Sequence, residues 1–309
     1  MKILVTGGAG FIGSHLVRHF QGIAEVRVLD NLRTGKRENL RGLEACFSEG
    51  SILDRERVRE CVDGVDLIFH LAALVSVPES VADPVHCREL NVQGLEVVLE
   101  EAAAAGVRKL VLSSSAAVYG DDPEVPKRED MVPMPKSPYA ESKLAGEALC
   151  QAYTESGKLE TTSLRYFNVF GPRQDAGSAY AAAVPIFIQQ ARSNQPITIY
   201  GDGEQTRDFV YVKDVVSANA FAANERGLSG VYNIGYGTRL SILDLAKMVL
   251  ELTRSSSEIV HAEERSGDLK HSVAAVDKIL AAGWHPGSSL ASGMREMLAD
   301  MEPEDRRAP

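Results

Sequence analysis

The stretch Gly7-Gly8-Ala9-Gly10-Phe11-Ile12-Gly13 constrains this chain more than any other. An apolar run, Lys2–Thr6, precedes it and reads as a strand. Ile12, Leu16 and Phe20 follow at every fourth position, which marks one face of a helix. Glycines between a strand and a helix let the backbone turn tightly and approach a ligand. The helix N-terminus then offers unpaired N–H groups to an anion such as a pyrophosphate. A second strand, Glu25–Leu29, runs into Asp30. A carboxylate at that place accepts hydrogen bonds from a ribose and repels a 2′-phosphate. Strand, loop, helix and acid together specify a dinucleotide site, and Asp30 favours NAD over NADP. Arg33, Lys36 and Arg37 lie close by and pull the other way. The competing reading, a glycine turn without a ligand and Asp30 as a cap, needs every one of these features to coincide by chance.

The same rhythm continues. Leu67–Leu71 and Lys109–Ser113 read as further strands, and Val85–Ala105 and Tyr139–Glu155 as long helices between them. Strands alternating with helices imply a parallel sheet covered on both faces. After about Gly171 the pattern loosens. Asp208–Val212 and Gly230–Ile234 look like strands, while Pro172–Thr206 and Tyr236–Trp284 suggest a smaller, less regular module. The fold class expected is α/β, a Rossmann-like doubly wound sheet with a smaller C-terminal substrate-binding domain. We place the division at residues 1–170 and 171–309, with 208–236 returning to the first unit. Glu302–Pro309 reads as a frayed tail.

Composition narrows the class. The 309 residues carry 44% hydrophobic and 25% charged side chains, enough for a substantial globular core. A net charge of -10 argues against a nucleic-acid partner, which would need clustered Lys and Arg. Cys46, Cys61, Cys87 and Cys150 lack C-x-x-C spacing, so we expect buried thiols and neither disulfides nor a metal site. No apolar stretch suffices to span a bilayer, and the glycine motif begins too early for a signal peptide; a cytoplasmic enzyme is expected.

Tyr139-Ala140-Glu141-Ser142-Lys143 puts a tyrosine and a lysine one turn apart on a helix face. A free phenol is a poor base at neutral pH; a nearby ammonium and a positive nicotinamide ring favour its phenolate. Such a tyrosine takes a proton from a sugar hydroxyl as hydride leaves for NAD, and returns it in reverse. Alone, the pair also fits two ordinary surface residues. Ser113-Ser114-Ser115 adds weight, because it ends a strand on the edge of the sheet where ligands bind. Ser115 is placed to hydrogen-bond the reacting oxygen.

Together with Asp30-Asn31, His70-Leu71-Ala72-Ala73, Arg165-Tyr166-Phe167-Asn168, Gly201-Asp202-Gly203, Arg207-Asp208-Phe209 and Arg265-Ser266-Gly267-Asp268, these motifs resemble the extended short-chain dehydrogenase/reductases over nearly the whole chain. Within them the resemblance is strongest to UDP-sugar 4-epimerases. It implies catalysis by Tyr139, Lys143 and Ser115 with bound NAD. It implies cofactor contacts at Gly7, Gly10, Phe11, Ile12, Gly13, Asp30, Asn31, Thr34, Gly35, Ser51, Ile52, Leu71, Ala72, Ala73, Ser113 and Tyr166. Ser51 departs from the acid usual in the adenine motif, and Asp54 nearby suits a helix cap. A UDP-sugar would meet Ser76, Asn168, Ala183, Phe187, Tyr200, Arg207, Arg265 and Ser272, with the arginines on its diphosphate; Phe187 and Tyr200 equally suit core packing. The family also suggests a homodimer through a four-helix interface, with apolar stripes at Leu90, Leu95, Val98 and Leu99 and at Leu144 and Leu149; such stripes are more usually core.

The segment Ser113–Gly120 separates reactions. Related dehydratases carry Asp-Glu where this chain has Ala116-Ala117, and decarboxylases carry Glu at the second place. Alanine exchanges no proton, so oxidation and re-reduction remain, and the resemblance implies C4 epimerisation through a transient 4-keto sugar. A small Ser272, with Ser76-Val77 and Ala182-Ala183, resembles the forms that accept UDP-GlcNAc and UDP-GalNAc alongside UDP-Glc and UDP-Gal. Two other readings use the same residues or fewer: a dehydrogenase that releases a keto-sugar, and a catalytically idle NAD-binding regulator.

Overall fold

The computed structural model describes residues 1–174, 183–264 and 270–301. In chain order the first half runs β1 (Lys2–Thr6), α1 (Phe11–His19), β2 (Glu25–Asp30), β3 (Cys46–Glu49), α2 (Arg55–Val62), β4 (Leu67–His70), α3 (Val77–Ala82), α4 (Pro84–Arg88), a π-helical turn at Glu89–Gln93, α5 (Gly94–Ala104), β5 (Lys109–Ser115), α6 (Pro138–Glu155) and β6 (Glu160–Tyr166). The second half runs β7 (Asn168–Phe170), α7 (Ala183–Arg192), β8 (Ile197–Tyr200), β9 (Thr206–Arg207), β10 (Phe209–Tyr211), α8 (Val212–Asn224), β11 (Gly230–Ile234), β12 (Leu240–Ser241), α9 (Ile242–Thr253), β13 (Ile259–Ala262), β14 (His271–Ser272), α10 (Asp277–Ala281) and α11 (Leu290–Asp300).

Among the described residues seven strands form one parallel sheet in the order β11-β6-β5-β4-β1-β2-β3. Alternation along β1 explains how it is covered. Ile3 and Val5 face a core shared with α1 and α8, where Leu16, Phe20 and Val215 are buried. Leu4 faces the opposite core with Val58 of α2, Leu95 and Leu99 of α5 and Cys150 of α6. Strand order reverses at β1, with β2 on one side and β4 on the other, and such sheets bind ligands at the carboxyl ends beside that switch. The glycine loop leaves β1 there.

The later chain builds a third core from α7, α9 and α11 around Phe170, Phe187, Ile197, Leu245 and Met294. Its strands are short: β13 pairs with β8, and β12, β9 and β14 form a three-stranded patch. Not all of this half stays there. Gly230–Ile234 pairs with Thr162–Tyr166 at the edge of the large sheet. Asp208–Val212 becomes β10, which pairs with β7 and feeds α8.

Two expectations need correction, and one pair of stripes takes its more usual place. Leu90, Leu95, Val98 and Leu99 are 8%, 1%, 0% and 0% exposed, core residues covered by the chain's own sheet and helices, and Leu144 and Leu149 are partly buried. The homodimer therefore rests on resemblance alone. Cys46 is exposed at the sheet-edge strand β3, while Cys61, Cys87 and Cys150 are buried and free. The helix expected over Val85–Ala105 is broken in hydrogen-bond pattern by the π turn at Glu89–Gln93. No helix among the described residues is long and apolar enough to cross a membrane.

Candidate active site

The glycine loop is shaped for close approach. Gly7 sits at φ +71°, and a Cβ there would lie 2.8 Å from the Ala72 amide nitrogen. A Cβ on Gly13 would meet the Gly7 carbonyl oxygen at 2.2 Å. Helix α1 begins with Gly10 as N-cap, no side-chain cap and no acid in its first turn. Its positive end is thus left for an anion, with Phe11 and Ile12 at the first positions. These features fit a dinucleotide pyrophosphate.

Asp30 closes the other side. Oδ2 accepts the Ala9 N–H at 2.9 Å and Oδ1 the Leu32 N–H at 2.8 Å. Burial pushes its carboxyl up, and these two hydrogen bonds pull it back. Each oxygen retains a lone pair for a ribose hydroxyl. A Cβ on Gly35 would lie 2.8 Å from both oxygens, so the loop carrying Asn31 and Thr34 passes directly over the carboxylate. Two nearby cations are already committed: Arg33 pairs with Glu79, and Arg37 pairs with Glu49 at 2.7 Å and stacks on Phe47. That weakens their claim to a 2′-phosphate. Further along, the Ser51 hydroxyl accepts the Leu53 N–H at 3.2 Å, and Ile52 is buried against Gly94. Asp54 caps α2 through the Arg57 N–H.

The opposite wall follows β4. Thr6 Oγ1 lies 3.0 Å from His70 Nδ1 and accepts the Ala72 N–H at 3.3 Å. This holds Leu71, Ala72 and Ala73 beside the glycine loop. Burial, and then the charge of Lys143, pull His70 down to about 3, so it is neutral.

Helix α6 delivers the tyrosine. Pro138 starts the helix, and Ser137 caps it by accepting the Ala140 N–H at 3.2 Å. The Tyr139 N–H donates to Ser80 Oγ at 3.2 Å. Lys143 Nζ donates to the Ser113 carbonyl at 2.8 Å and lies 5.8 Å from the Tyr139 ring centroid. Burial pushes the Tyr139 phenol up, opposed by a hydrogen bond with the Ser115 side chain. Burial also pulls Lys143 down to about 8. Tyr139, Lys143, Ser113 and Ser115 therefore meet at one point, as their spacing predicts. Spacing gave no sign of the support behind them. Asn91, on the π turn, donates to Ser142 Oγ at 2.9 Å and to the Leu74 carbonyl at 2.9 Å, and accepts the Leu74 N–H at 2.7 Å. Ser142 donates to the Tyr139 carbonyl at 2.7 Å.

Tyr166 ends β6 beside Ser115, its register partner on β5. Its hydroxyl is 3.0 Å from Asn219 Oδ1 on α8, and burial pushes the phenol up strongly. Asn168 is fixed by Asp208, whose carbonyl accepts both its backbone N–H at 3.0 Å and its Nδ2 at 3.1 Å. The Asp208 carboxylate, fully buried, collects the N–H groups of Tyr236, Gly237 and Ala274 at 2.9, 2.8 and 3.2 Å. Arg207 and Ser272, far apart in sequence, are register partners on β9 and β14. Asp208, whose motif gave no hint of this task, thus knits these segments. Ser76 caps α3 through the Glu79 N–H, and Ala183 opens α7. Phe187 packs in the core, 4% exposed, and Tyr200 is 37% exposed at the end of β8. Arg265 and Ala182 lie outside the described residues.

The sequence profile of the NAD dependent epimerase/dehydratase family matches residues 3–235. The UDP-glucose 4-epimerase of Mycolicibacterium smegmatis is 38% identical over 308 residues, covering 96% of this chain and 97% of that protein. Among solved structures, the UDP-N-acetylglucosamine 4-epimerase from Methanobrevibacter ruminantium, in complex with UDP-N-acetylmuramic acid, superposes with a TM-score of 0.93 at 37% identity, covering 96% of each chain. The Thermus thermophilus UDP-glucose 4-epimerase complexed with NAD gives 0.88 at 40% identity, covering 97% of this chain and 98% of that one. The chain belongs to the NAD-dependent epimerase/dehydratase family.

Proposed function

We propose that this protein is an NAD-dependent UDP-sugar 4-epimerase. The observation that carries the reading is the pairing of a complete redox set with the lack of an elimination set. Ser115 faces Tyr139 and Lys143 anchors to Ser113, while Ala116 and Ala117 occupy the places where, by the resemblance, dehydratases and decarboxylases carry their acids. When bound, NAD supplies a reversible hydride acceptor whose positive ring favours the phenolate. Tyr139 removes the proton of the sugar 4-hydroxyl and later returns it; Ser115 hydrogen-bonds the reacting oxygen; Lys143 stabilises the phenolate. A 4-keto sugar formed this way yields the C4 epimer if it turns over before re-reduction. Arg207, opposite Ser272 in register, and Asn168, hydrogen-bonded to the adjoining Asp208, support the reading that these residues meet the diphosphate and sugar.

The test is incubation of pure protein with UDP-Glc and UDP-GlcNAc without added cofactor, with products identified by NMR. We expect interconversion with the C4 epimers and no net NADH. Release of a keto-sugar with stoichiometric NADH would replace epimerase by dehydrogenase. Ser272, small and buried, supports acceptance of the N-acetylated pair. Ser272→Tyr is expected to lower turnover of UDP-GlcNAc by about tenfold more than that of UDP-Glc. Equal losses on both would remove Ser272 as the gate.

A further inference from the structure

The three serines that end β5 do not share a task. The Ser113 carbonyl receives Lys143, and Ser115 faces Tyr139. Ser114 lies between them on the other face of the strand, 3% exposed, and donates to Glu147 Oε1. Glu147 sits on α6 one turn beyond Lys143 and is 5% exposed. Arg165, directly opposite Ser114 in register on β6 and 3% exposed, grips the same carboxylate as a fork, Nε to Oε1 at 2.9 Å and a terminal nitrogen to Oε2 at 2.7 Å. Its guanidinium lies 4.7 Å from the centroid of the Tyr119 ring, in the turn that follows Ser115. One buried carboxylate therefore ties together the ends of β5 and β6 and the helix that carries both Tyr139 and Lys143.

We infer that Glu147 and Arg165 are positioning residues for the reaction: the pair sets the spacing between Ser115 and Tyr139 and fixes the charge that Lys143 experiences. The inference rests on the reading of Tyr139 and Lys143 as the redox pair. A buried ion pair is weak support for stability, since apolar replacements of both partners are often neutral. Its location behind three site residues gives it a different use. The groups bearing on Lys143 are Tyr139 and Glu147 on its own helix, His70 from β4 and Cys87 from α4. His70 is neutral, and burial pushes the Cys87 thiol up, so Glu147 is the charged neighbour. Of the acids on other elements packed against α6, Glu79 pairs with Arg33, Glu100 with Arg55, Glu101 with Arg55 and Arg59, and Glu160 with Lys109, while Glu89 lies beside His86 and Asp83 caps α4; neither these nor Glu96 act on Lys143. Glu147 favours the Lys143 ammonium, and Arg165 limits that effect.

The pair is tested by pH profiles of epimerisation on the full chain with NAD. Glu147→Gln removes a negative charge, so Lys143 loses its proton at lower pH; the alkaline limb should move down by about half a pH unit or more. Arg165→Met should move it up by a similar amount. The double variant keeps the local charge balanced, and its limb should return to the wild-type position while kcat falls about tenfold with KM within about twofold, because the fork that aligns Ser115 is gone. A merely structural pair would lower activity at every pH without moving the limb. Coincident limbs in the folded single variants, or full kcat in the double variant, would overturn the inference. Should a single variant not fold, the double variant still decides the positioning role. Tyr139→Phe is the separate control: sustained turnover there would sink the redox reading itself, whatever the limbs do.

Discussion

Burial pushes Tyr139 up and Lys143 down, so both move away from the charged forms that the proposed chemistry requires. The site holds them there at a cost because phenolate and ammonium stabilise each other only when close and poorly solvated. With Lys143 near 8, its ammonium is present below that pH and lost above it, so turnover is expected to fade as pH rises through about 8. A kcat–pH profile flat to well above 10 would detach Lys143 from the reaction. Tyr139→Phe is expected to cut kcat by ~10²–10⁴, measured with the folded variant and saturating substrate. These residues were legible from spacing, since a tyrosine and a lysine one turn apart and a serine at a strand end form a pattern. Asn91, Ser80 and Glu147 were not: each is a single polar residue whose partners are remote in sequence, and Asp208 showed as part of a motif but not as the link between segments. Only the fold reveals that they are buried and hydrogen-bonded.

At the scale of elements, the loop between β1 and α1 does the most with the least. Gly13→Ala would drive a methyl into the Gly7 carbonyl, backbone against backbone, with no side chain able to yield. It should abolish the rise in melting temperature that NAD gives the wild-type protein, while the protein alone still melts cooperatively. An unchanged NAD-induced shift would show that the loop opens without penalty. The strands β1, β2, β4 and β5 were readable as apolar runs between amphipathic helices. β6 was not, because Thr161, Thr162 and Ser163 make it look polar. Inside the sheet the two threonine hydroxyls find backbone carbonyls, Thr161 that of Cys150 at 2.8 Å and Thr162 that of Leu228. β3, β7, β9, β12 and β14 are too short to show a period. The π turn left no trace either, since one displaced hydrogen-bond register does not alter the apolar spacing around it.

At the scale of the whole molecule, alternating strands and helices disclosed the doubly wound sheet, and the return of residues 230–234 to it was visible as a late strand. That return has a consequence for how the chain comes off the ribosome. When residue 170 emerges, six strands of the sheet exist, yet β6 has a bare outer edge of unpaired N–H and C=O groups. Lys109, fully buried in the finished protein, also lacks two of its acceptors then, the carbonyls of Glu225 and Leu228, and has only Glu160. The glycine loop and Asp30 are thus synthesised long before the sheet that carries them is complete. Nascent chains halted at residue 170 should be cut readily by protease in pulse-chase translation, and those reaching residue 240 with the exit tunnel cleared should resist. Resistance at 170 would mean that the sheet needs no seventh strand. The chain's first half waits for its second, which makes premature termination a source of sticky sheet edges rather than of a small working nucleotide-binding fragment.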